Sequence, residues 1–200
     1  MPSSRPPLST DPDLLIAQLG AHHRARVRAH LLALPESDRR LRFGYLASDD
    51  AIDSYVRSIH FARDAAFGAF DLQALLVGFG HLALNRSPGS PDAEFGISVL
   101  PEFRRRGLGL ALLNRAADHA RNRGATRLVM SHLPENTALV QLAQRAGMAF
   151  QEDPIESRAY LELGPASTAS LIQETFSELV AAVDLGFRAA QAEAESPTSA

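Results

Sequence analysis

The stretch PEFRRRGLGLALL, residues 101–113, decides the fold because it joins three arginines to a Gly-Leu-Gly step and an aliphatic run. A strand is predicted directly before it, at 93–100, and an amphipathic helix within and after it, at 107–123. Backbone N–H groups in a glycine-rich connection can approach an anion, and the helix N-terminus adds the positive end of its dipole. We call residues 104–109 the arginine–glycine turn. It has three interpretations: a basic patch for nucleic acid, a dinucleotide fingerprint, or a cradle for another phosphate.

Charge and spacing argue against the first two interpretations of this turn. The chain has a formal net charge of -3 and 6% aromatic residues, whereas nucleic-acid-binding proteins carry a clustered excess of positive charge. A dinucleotide fingerprint has the form G-x-G-x-x-G, and here Leu112 stands where the third glycine belongs. The third interpretation uses the whole turn, because arginines form charge-assisted hydrogen bonds to phosphate oxygens. We therefore expect a phosphate-bearing ligand and no nucleic-acid partner.

The composition is that of a soluble globular protein and removes several classes of chemistry. The chain has 200 residues, 46% of them hydrophobic, and no cysteine, which excludes disulfides, cysteine-ligated zinc and cysteine nucleophiles. No apolar run is long enough for a membrane span, and the Pro/Ser-rich N-terminal stretch has no export signal, so we expect a cytoplasmic protein without a membrane partner. His22, His23 and His30 are expected on a solvated helix face, and no metal site is predicted.

Strands and helices follow one another in an order that predicts an α/β fold (α+β mixed sheet). The predicted strands are 14–20, 65–71, 74–85, 93–100, 127–132 and 158–164, and the predicted helices are 21–34, 49–59, 107–123 and 136–146. Hairpins come first and strand–helix crossovers follow, which indicates a mixed sheet with helices on both faces. The expected organisation is a disordered N-terminus at 1–11, one domain at 12–164, an extra helix at 165–191 and a disordered tail at 192–200.

The extra C-terminal helix carries an apolar stripe along one side. Its members recur at helical spacing and are Ile172, Phe176, Leu179, Val180, Val183 and Phe187. We expect this stripe to pack on the face of the sheet. The alternative is a subunit interface, which would make the protein a homodimer.

Residues 93–150 resemble the GNAT superfamily, the GCN5-related N-acetyltransferases. The acetyl-CoA-binding signature of that family, R/Q-x-x-G-x-G/A, is matched by Arg104, Gly107 and Gly109. In the family a strand and an N-x-x-A-x-x-L helix follow, and residues 136–142 correspond to the start of that helix. By the order of its elements the resemblance extends over 13–164, and it implies the GNAT acyl-CoA N-acyltransferase fold.

The resemblance implies a bacterial N-acetyltransferase that moves an acetyl group from acetyl-CoA to a primary amine by direct attack in a ternary complex, without a metal. The segment DRRLRF, residues 38–43, resembles a D-x-R-x-R-F segment of some bacterial members, including relatives of protein-lysine acetyltransferases. A protein lysine is therefore the first expected acceptor, and a small-molecule amine is the second. A non-catalytic acyl-CoA-binding regulatory or interaction module is the alternative.

The resemblance also implies which residues bind acetyl-CoA. The arginine–glycine turn would hold the phosphates, and the backbone at the end of the strand 93–100 would pair with the pantetheine arm and polarise the thioester carbonyl. The implied cofactor-binding residues are Ile97, Ser98, Val99, Arg104, Arg105, Arg106, Gly107, Leu108, Gly109 and Asn136. Asn136 would contact the arm, and it is also placed to cap the helix that starts after it, since asparagine is a favoured N-cap.

Glu94 is the predicted catalytic base. An alkylamine has a pKa of about 10.4, so near neutral pH it must lose a proton before it attacks. Strand alternation places Glu94, Gly96 and Ser98 on one face of the strand, beside the region implied for the thioester. Asp92 is the second candidate for the base.

The general acid is less clearly marked in the sequence. Many GNAT enzymes place a tyrosine seven residues after the asparagine to protonate the departing thiolate, and this chain has Ala143 there. A thiol pKa of about 8.5 lets the thiolate leave near neutral pH with little help. Ser131, His132 and Tyr160 are the other candidates for an acid.

Overall fold

Seven strands and six helices make up the protein in a computed structural model, which describes residues 13–84, 92–151 and 157–195. The strands are β1 Leu15–Leu19, β2 Ala65–Phe70, β3 Leu76–Leu84, β4 Asp92–Val99, β5 Arg127–His132, β6 Ala149–Gln151 and β7 Ser157–Glu162. The helices are α1 Arg24–Leu32, α2 Glu36–Phe43, α3 Asp49–Ser58, α4 Leu108–Asn122, α5 Thr137–Arg145 and α6 Thr168–Glu195. The predicted N-terminal disorder at 1–11 lies outside the described residues. Helix α6 runs four residues into the predicted tail.

The strands form one sheet in the order β1-β2-β3-β4-β5-β7-β6, which confirms the predicted mixed sheet. The pair β4–β5 is parallel and the other pairs are antiparallel. Helices cover both faces: His81 of β3 packs against Tyr55 of α3, whereas Gly78 of the same strand faces Leu112 of α4. Within the described ranges, no helix is both long and apolar enough to cross a bilayer.

Two elements of the fold have no counterpart in the sequence prediction. Helix α2 buries none of its side chains, and β6 is three residues long with all three exposed. Neither segment therefore contains a series of buried apolar residues of the kind on which such predictions rest. Helix α2 is held by ion pairs with residues distant in sequence, and β6 is held by its pairing with β7.

The prediction that the N-terminal histidines face solvent is wrong for two of them. His23 and His30 are buried. Nδ1 of His30 lies 3.0 Å from the carbonyl oxygen of Leu76, and Nε2 lies 2.9 Å from Oγ of Ser98. Burial lowers the pKa of His30 to about 4, so the ring is neutral near pH 7. Because a carbonyl oxygen only accepts, Nδ1 donates to Leu76 and Nε2 accepts from Ser98, which ties α1 to β3 and β4.

Helix α6 is rotated about its axis relative to the expectation, so that its apolar stripe faces outward and not toward the sheet. Its buried apolar residues are Ala181 and Leu185, which face the domain, where α6 contacts β1 and α4. Phe176 and Phe187 of the stripe are 66% and 67% exposed. The expectation that the stripe packs on the sheet is therefore wrong. The helix takes this rotation because its polar side forms ionic contacts with α4.

Candidate functional site

The two parallel strands, β4 and β5, separate from each other after three residue pairs. They are in register at Asp92, Ala93 and Glu94. From there β4 continues along β3 as far as Val99, while β5 continues along β7 as far as His132. In the described part of the chain, no strand pairs with the β5-facing edge of residues 95–99, and we call this opening the β4–β5 gap. Because backbone N–H and C=O groups need hydrogen-bond partners, the gap can bind an extended ligand.

The arginine–glycine turn follows the end of β4 and leads directly into α4. Arg105 and Gly107 both have left-handed backbone conformations, with φ of 61° and 82°. The first intrahelical bond runs from the N–H of Ala111 to the carbonyl of Gly107 (3.0 Å), so the N–H groups of 108–110 have no acceptor within the helix. N–H groups of this kind, at the positive end of the helix dipole, can bind an anion.

The three arginines of the turn have different surroundings. Nε of Arg104 donates to the carbonyl oxygen of Val99 (3.0 Å), and its Nη2 donates to Oδ2 of Asp38 on α2 (2.5 Å). Arg105 is exposed, and Arg106 is half-buried. The guanidinium of Arg104 is therefore held by the protein itself, and only its remaining donors can reach a phosphate. That Arg104, Arg105 and Arg106 bind phosphate stays a prediction.

The first turn of α4 packs beside the β4–β5 gap. A Cβ on Gly109 would lie 3.4 Å from the side chain of Leu142 on α5 and 4.0 Å from that of Ile97 on β4. These are ordinary van der Waals distances, so α4 packs at this position beside both the open strand edge and the helix that follows β5. Leu108 is 1% exposed, and the hydroxyl of Ser98 is engaged by α1. Only the backbone of these two residues can serve a ligand in the gap.

Asn136 caps α5, as its type and position predict. Its Oδ1 accepts from the N–H of Leu139 (3.1 Å), and its Nδ2 donates to the carbonyl oxygen of Leu41 on α2 (3.4 Å). The neighbouring Glu135 pairs with Arg40 of α2 at 2.6 Å. Helix α2 therefore bridges the arginine–glycine turn and the start of α5. A contact between Asn136 and the pantetheine arm stays a prediction.

Glu94 lies on the exposed side of β4, where strand alternation places it. Its neighbours Ala93 and Phe95 are buried on the opposite side, against the α4 face. Asp92, the second candidate for the base, accepts two hydrogen bonds from Arg127, at 3.0 and 2.8 Å. Both carboxylate oxygens of Asp92 are therefore occupied by the guanidinium of Arg127. Glu94 is therefore the better placed of the two carboxylates.

A chain of polar side chains that sequence reasoning missed lies on the same face of the sheet as Glu94. The guanidinium of Arg42 lies against Gly96, so that a Cβ added there would be 2.5 Å from Nη2. The same Nη2 donates to the hydroxyl of Tyr55 (2.8 Å), which is 2.9 Å from Nδ1 of His81. Nε2 of His81 lies 3.5 Å from a carboxylate oxygen of Asp64. We call these four side chains the Arg42–Asp64 chain.

Burial and charge fix the protonation of this chain. Burial, assisted by Arg42, lowers the pKa of His81, so its ring is neutral near pH 7, and burial raises the pKa of Tyr55, so its hydroxyl keeps its proton. Burial disfavours the charge of Asp64, but hydrogen bonds from Arg63 and a backbone N–H outweigh it and lower the pKa of the carboxyl. The protons are therefore ordered: Arg42 donates to Tyr55, Tyr55 donates to Nδ1 of His81, and the Nε2 proton faces Asp64.

No local spacing in the sequence could have identified the Arg42–Asp64 chain. Its members come from α2, α3, β3 and the residue before β2, and only the fold brings them together. The sequence contained one signal for Arg42, because this residue belongs to the segment 38–43 that resembles a family motif.

That Ser131, His132 or Tyr160 acts as the general acid stays a prediction. Ala143, which stands where many family members have the tyrosine, is fully buried. His132 donates from Nδ1 to the carbonyl oxygen of Leu133 (2.9 Å), and the ring of Tyr160 lies beside the guanidinium of Arg127, 5.8 Å from its centroid.

Comparisons with known proteins identify the family and the fold. A family model described as "Acetyltransferase (GNAT) family" matches residues 32–148, more than half of the chain. The GNAT domain of S. lividans PAT superimposes with a TM-score of 0.65 at 18% identity, over 78% of this chain and 97% of that one. Spermidine N-acetyltransferase from Vibrio cholerae, solved with CoA and spermine, gives 0.59 at 22% identity, over 76% and 96%.

A third solved structure is a phosphinothricin acetyltransferase from Sinorhizobium meliloti in complex with AcCoA. It gives a TM-score of 0.61 at 15% identity, over 78% of this chain and 91% of that one. At such identities the likeness to these structures shows the fold alone. No curated protein sequence matches the chain.

Proposed function

The chain belongs to the acetyltransferase (GNAT) family, and on that premise we propose that it transfers acetyl to a primary amine by direct attack in a ternary complex. Family membership makes it an acyltransferase with acetyl-CoA as co-substrate. The acceptor we propose is a protein lysine or, second, a small-molecule amine. The cytoplasmic location expected from the sequence stays a prediction.

The observation that supports this proposal best is the β4–β5 gap ending at the start of α4. Acetyl-CoA consists of an extended amide-containing arm joined to a pyrophosphate. The open edge of residues 95–99 offers backbone groups to the arm, and the N–H groups of 108–110 offer an anion site to the pyrophosphate. A Cβ added to Gly109 would lie 4.0 Å from the side chain of Ile97, which supports the proposal that the two sites adjoin.

We assign the acceptor to the face of β4 that points away from α4. Glu94 and Gly96 lie on this face, with the guanidinium of Arg42 against Gly96. Glu94 takes the proton of the ammonium group, and the neutral amine attacks the thioester carbon. The Arg42–Asp64 chain holds the guanidinium in place, because Tyr55 accepts from it and is itself oriented by His81. Arg42 is thus a positioning residue.

The thiolate can leave without a dedicated acid. Its conjugate thiol has a pKa of about 8.5, so the thiolate is a tolerable leaving group near neutral pH. The backbone N–H groups between Ile97 and Val99 would polarise the thioester carbonyl, which lowers the barrier to attack.

The test of this function is the rate of thiol release from acetyl-CoA with lysine peptides and polyamines as acceptors. The chain contains no cysteine, so a thiol reagent detects only the released CoA. We expect Glu94→Gln to lower kcat by roughly a hundredfold to ten-thousandfold near pH 7, as removal of a general base does. The defect should shrink as the pH approaches the pKa of the amine, because the acceptor then arrives already neutral.

Glu162→Gln is the matched control, since it makes the same change at an exposed carboxylate on β7. It should keep the wild-type rate. An equal rate for Glu94→Gln and wild type at every pH would remove Glu94 as the base. Binding of acetyl-CoA without turnover of any acceptor would instead favour the non-catalytic acyl-CoA-binding module.

A further inference from the structure

The outward side of α6 is a continuous apolar surface, which we call the outer stripe. Its seven residues are each between 46% and 67% exposed: Leu171, Ile172, Phe176, Leu179, Val180, Val183 and Phe187. Single exposed hydrophobic residues are common on protein surfaces, but seven on one side of one helix are not.

The inward side of α6 carries Glu174, Glu178 and Arg188, whose contacts fix the rotation of the helix. Glu174 is 2.6 Å from Nδ1 of His119 on α4, and Glu178 is 3.0 Å from Nη2 of Arg115 on the same helix. Arg188 donates to the backbone carbonyl oxygens of Asp13 and Asp71, which lie at the same end of the β1–β2 pair. Turning the outer stripe inward would break these buried ionic contacts, so its exposure is a property of the fold.

The acidic residues of this contact do not form a cation site. Ligand atoms of His119, Glu174 and Glu178 lie within 4.8 Å of one another, but the guanidinium of Arg115 lies 3.8 Å from Glu174 and 3.0 Å from Glu178. The arginine supplies the positive charge that a metal would bring. The cluster therefore fastens α6 to α4.

The size of the outer stripe is that of a protein interface. From the exposed fractions, it offers roughly 800 Å² of apolar surface, about what one partner contributes to a standard interface. The largest apolar patch on a typical monomer is smaller, roughly 300–600 Å². Covering the outer stripe with an identical surface would therefore bury an area in the range of standard protein interfaces.

Spacing and charge indicate a second copy as the occupant. Ile172, Phe176, Leu179 and Val183 follow one another at steps of four, three and four residues, which is the spacing of a helix–helix seam. The residues that flank this seam include Gln173, Thr175 and Ala182, which are uncharged, so two copies meet without like-charge repulsion.

An anionic membrane fits the outer stripe less well. Helices that lie in a membrane interface carry Lys and Arg on the polar face. Between residues 168 and 195 the one basic residue is Arg188, and it is buried against the domain.

We propose that the outer stripe is a homodimer interface, in which the α6 helices of two copies pack on each other across a two-fold axis. Such an interface is isologous, so each copy buries the same seven residues. The proposal does not depend on the acetyltransfer chemistry, and it is tested by the oligomeric state alone.

The test is the particle mass of the protein in solution, measured by light scattering or sedimentation across a concentration series. Wild type should have twice the chain mass of 21.6 kDa. Leu179→Glu should have the mass of one chain, because it places a carboxylate in the centre of the apolar contact. Leu46→Glu is the matched control: Leu46 is 61% exposed against 63% for Leu179, but it lies between α2 and α3, so this variant should stay dimeric.

Cross-linking provides a second readout that does not depend on weakening the interface. The chain lacks cysteine, so Leu179→Cys should form disulfide-linked dimers on mild oxidation, whereas Leu46→Cys should not. A monomeric wild type, or a Leu179→Glu variant that remains dimeric, would overturn the proposal. Binding of a monomeric wild type to vesicles rich in anionic lipid would overturn it in favour of a membrane.

Discussion

Gly96 is the residue at which the proposed acceptor face of β4 is most sensitive to a small change. Its missing side chain leaves room for the guanidinium of Arg42, whose Cζ and two Nη atoms would lie 2.5 to 2.7 Å from an added Cβ. Gly96→Ala must therefore displace Arg42 from Tyr55. Because the far end of the Arg42 side chain is flexible and can move aside, we expect the variant to fold. We expect kcat/KM for the amine to fall roughly tenfold, as loss of one charged hydrogen bond does, with the Kd of acetyl-CoA unchanged.

A double-variant cycle separates this displacement from any direct effect of the extra methyl group. In an Arg42→Ala background there is no guanidinium to displace, so adding Gly96→Ala should cost little more. Equal losses from Gly96→Ala in both backgrounds would show that the methyl group itself obstructs the acceptor.

Single residues were predictable from the sequence where a local rule governed them. Strand alternation placed Glu94 on the exposed side of β4, and the preference of asparagine for helix N-caps placed Asn136 at the start of α5. The partner of Arg104 was not predictable, because Asp38 precedes it by 66 residues and only the packing of α2 brings the two together.

Among the elements, those with a strong apolar period were predicted to within a few residues, and those held by polar contacts were missed. Helix α4 buries nine residues and was predicted from its spacing, whereas α2 buries none and is held by Asp38, Arg40 and the carbonyl of Leu41. Helix α6 shows the limit of the periodic signal. Its stripe predicted a helix, but periodicity does not tell which side of a helix faces the domain, and ionic contacts with α4 decided that.

For the whole molecule, the buried His30 predicts how stability depends on pH. Its pKa is about 4 in the folded protein against 6.5 for an unperturbed histidine. Between these values the unfolded chain binds a proton that the folded chain does not, so the free energy of unfolding falls as the pH is lowered from 6.5 towards 4. The loss attributable to His30 is roughly 3 kcal/mol.

Denaturant unfolding of wild type and His30→Gln between pH 4.5 and 8 measures this contribution. The variant should be less stable at pH 7 because the ties to Leu76 and Ser98 are disturbed. Its stability should fall less steeply than that of wild type between pH 6.5 and 4.5, and the difference between the two proteins should be constant above pH 7. Parallel curves over the whole range would mean that His30 is not the titrating group.

The central claim is that the β4–β5 gap and the arginine–glycine turn bind acetyl-CoA. The most direct test is a calorimetric titration of acetyl-CoA into the wild-type protein and two glycine variants. Gly107→Glu puts a carboxylate at the N-terminus of α4, where the pyrophosphate would lie. Gly124→Glu puts the same side chain at the C-terminal end of the same helix. The two glycines are matched, with φ of 82° and 86° and no atom within 4 Å of an added Cβ, so the backbone strain is alike.

We predict that wild type and Gly124→Glu bind one acetyl-CoA per chain with a Kd on the order of micromolar. Gly107→Glu should bind roughly a hundredfold more weakly or not at all, because its carboxylate repels the phosphates. Equal affinity in all three proteins would place the pyrophosphate elsewhere. Absence of binding to wild type would contradict the account at its centre, since the turn would then be a connection between β4 and α4 and nothing more.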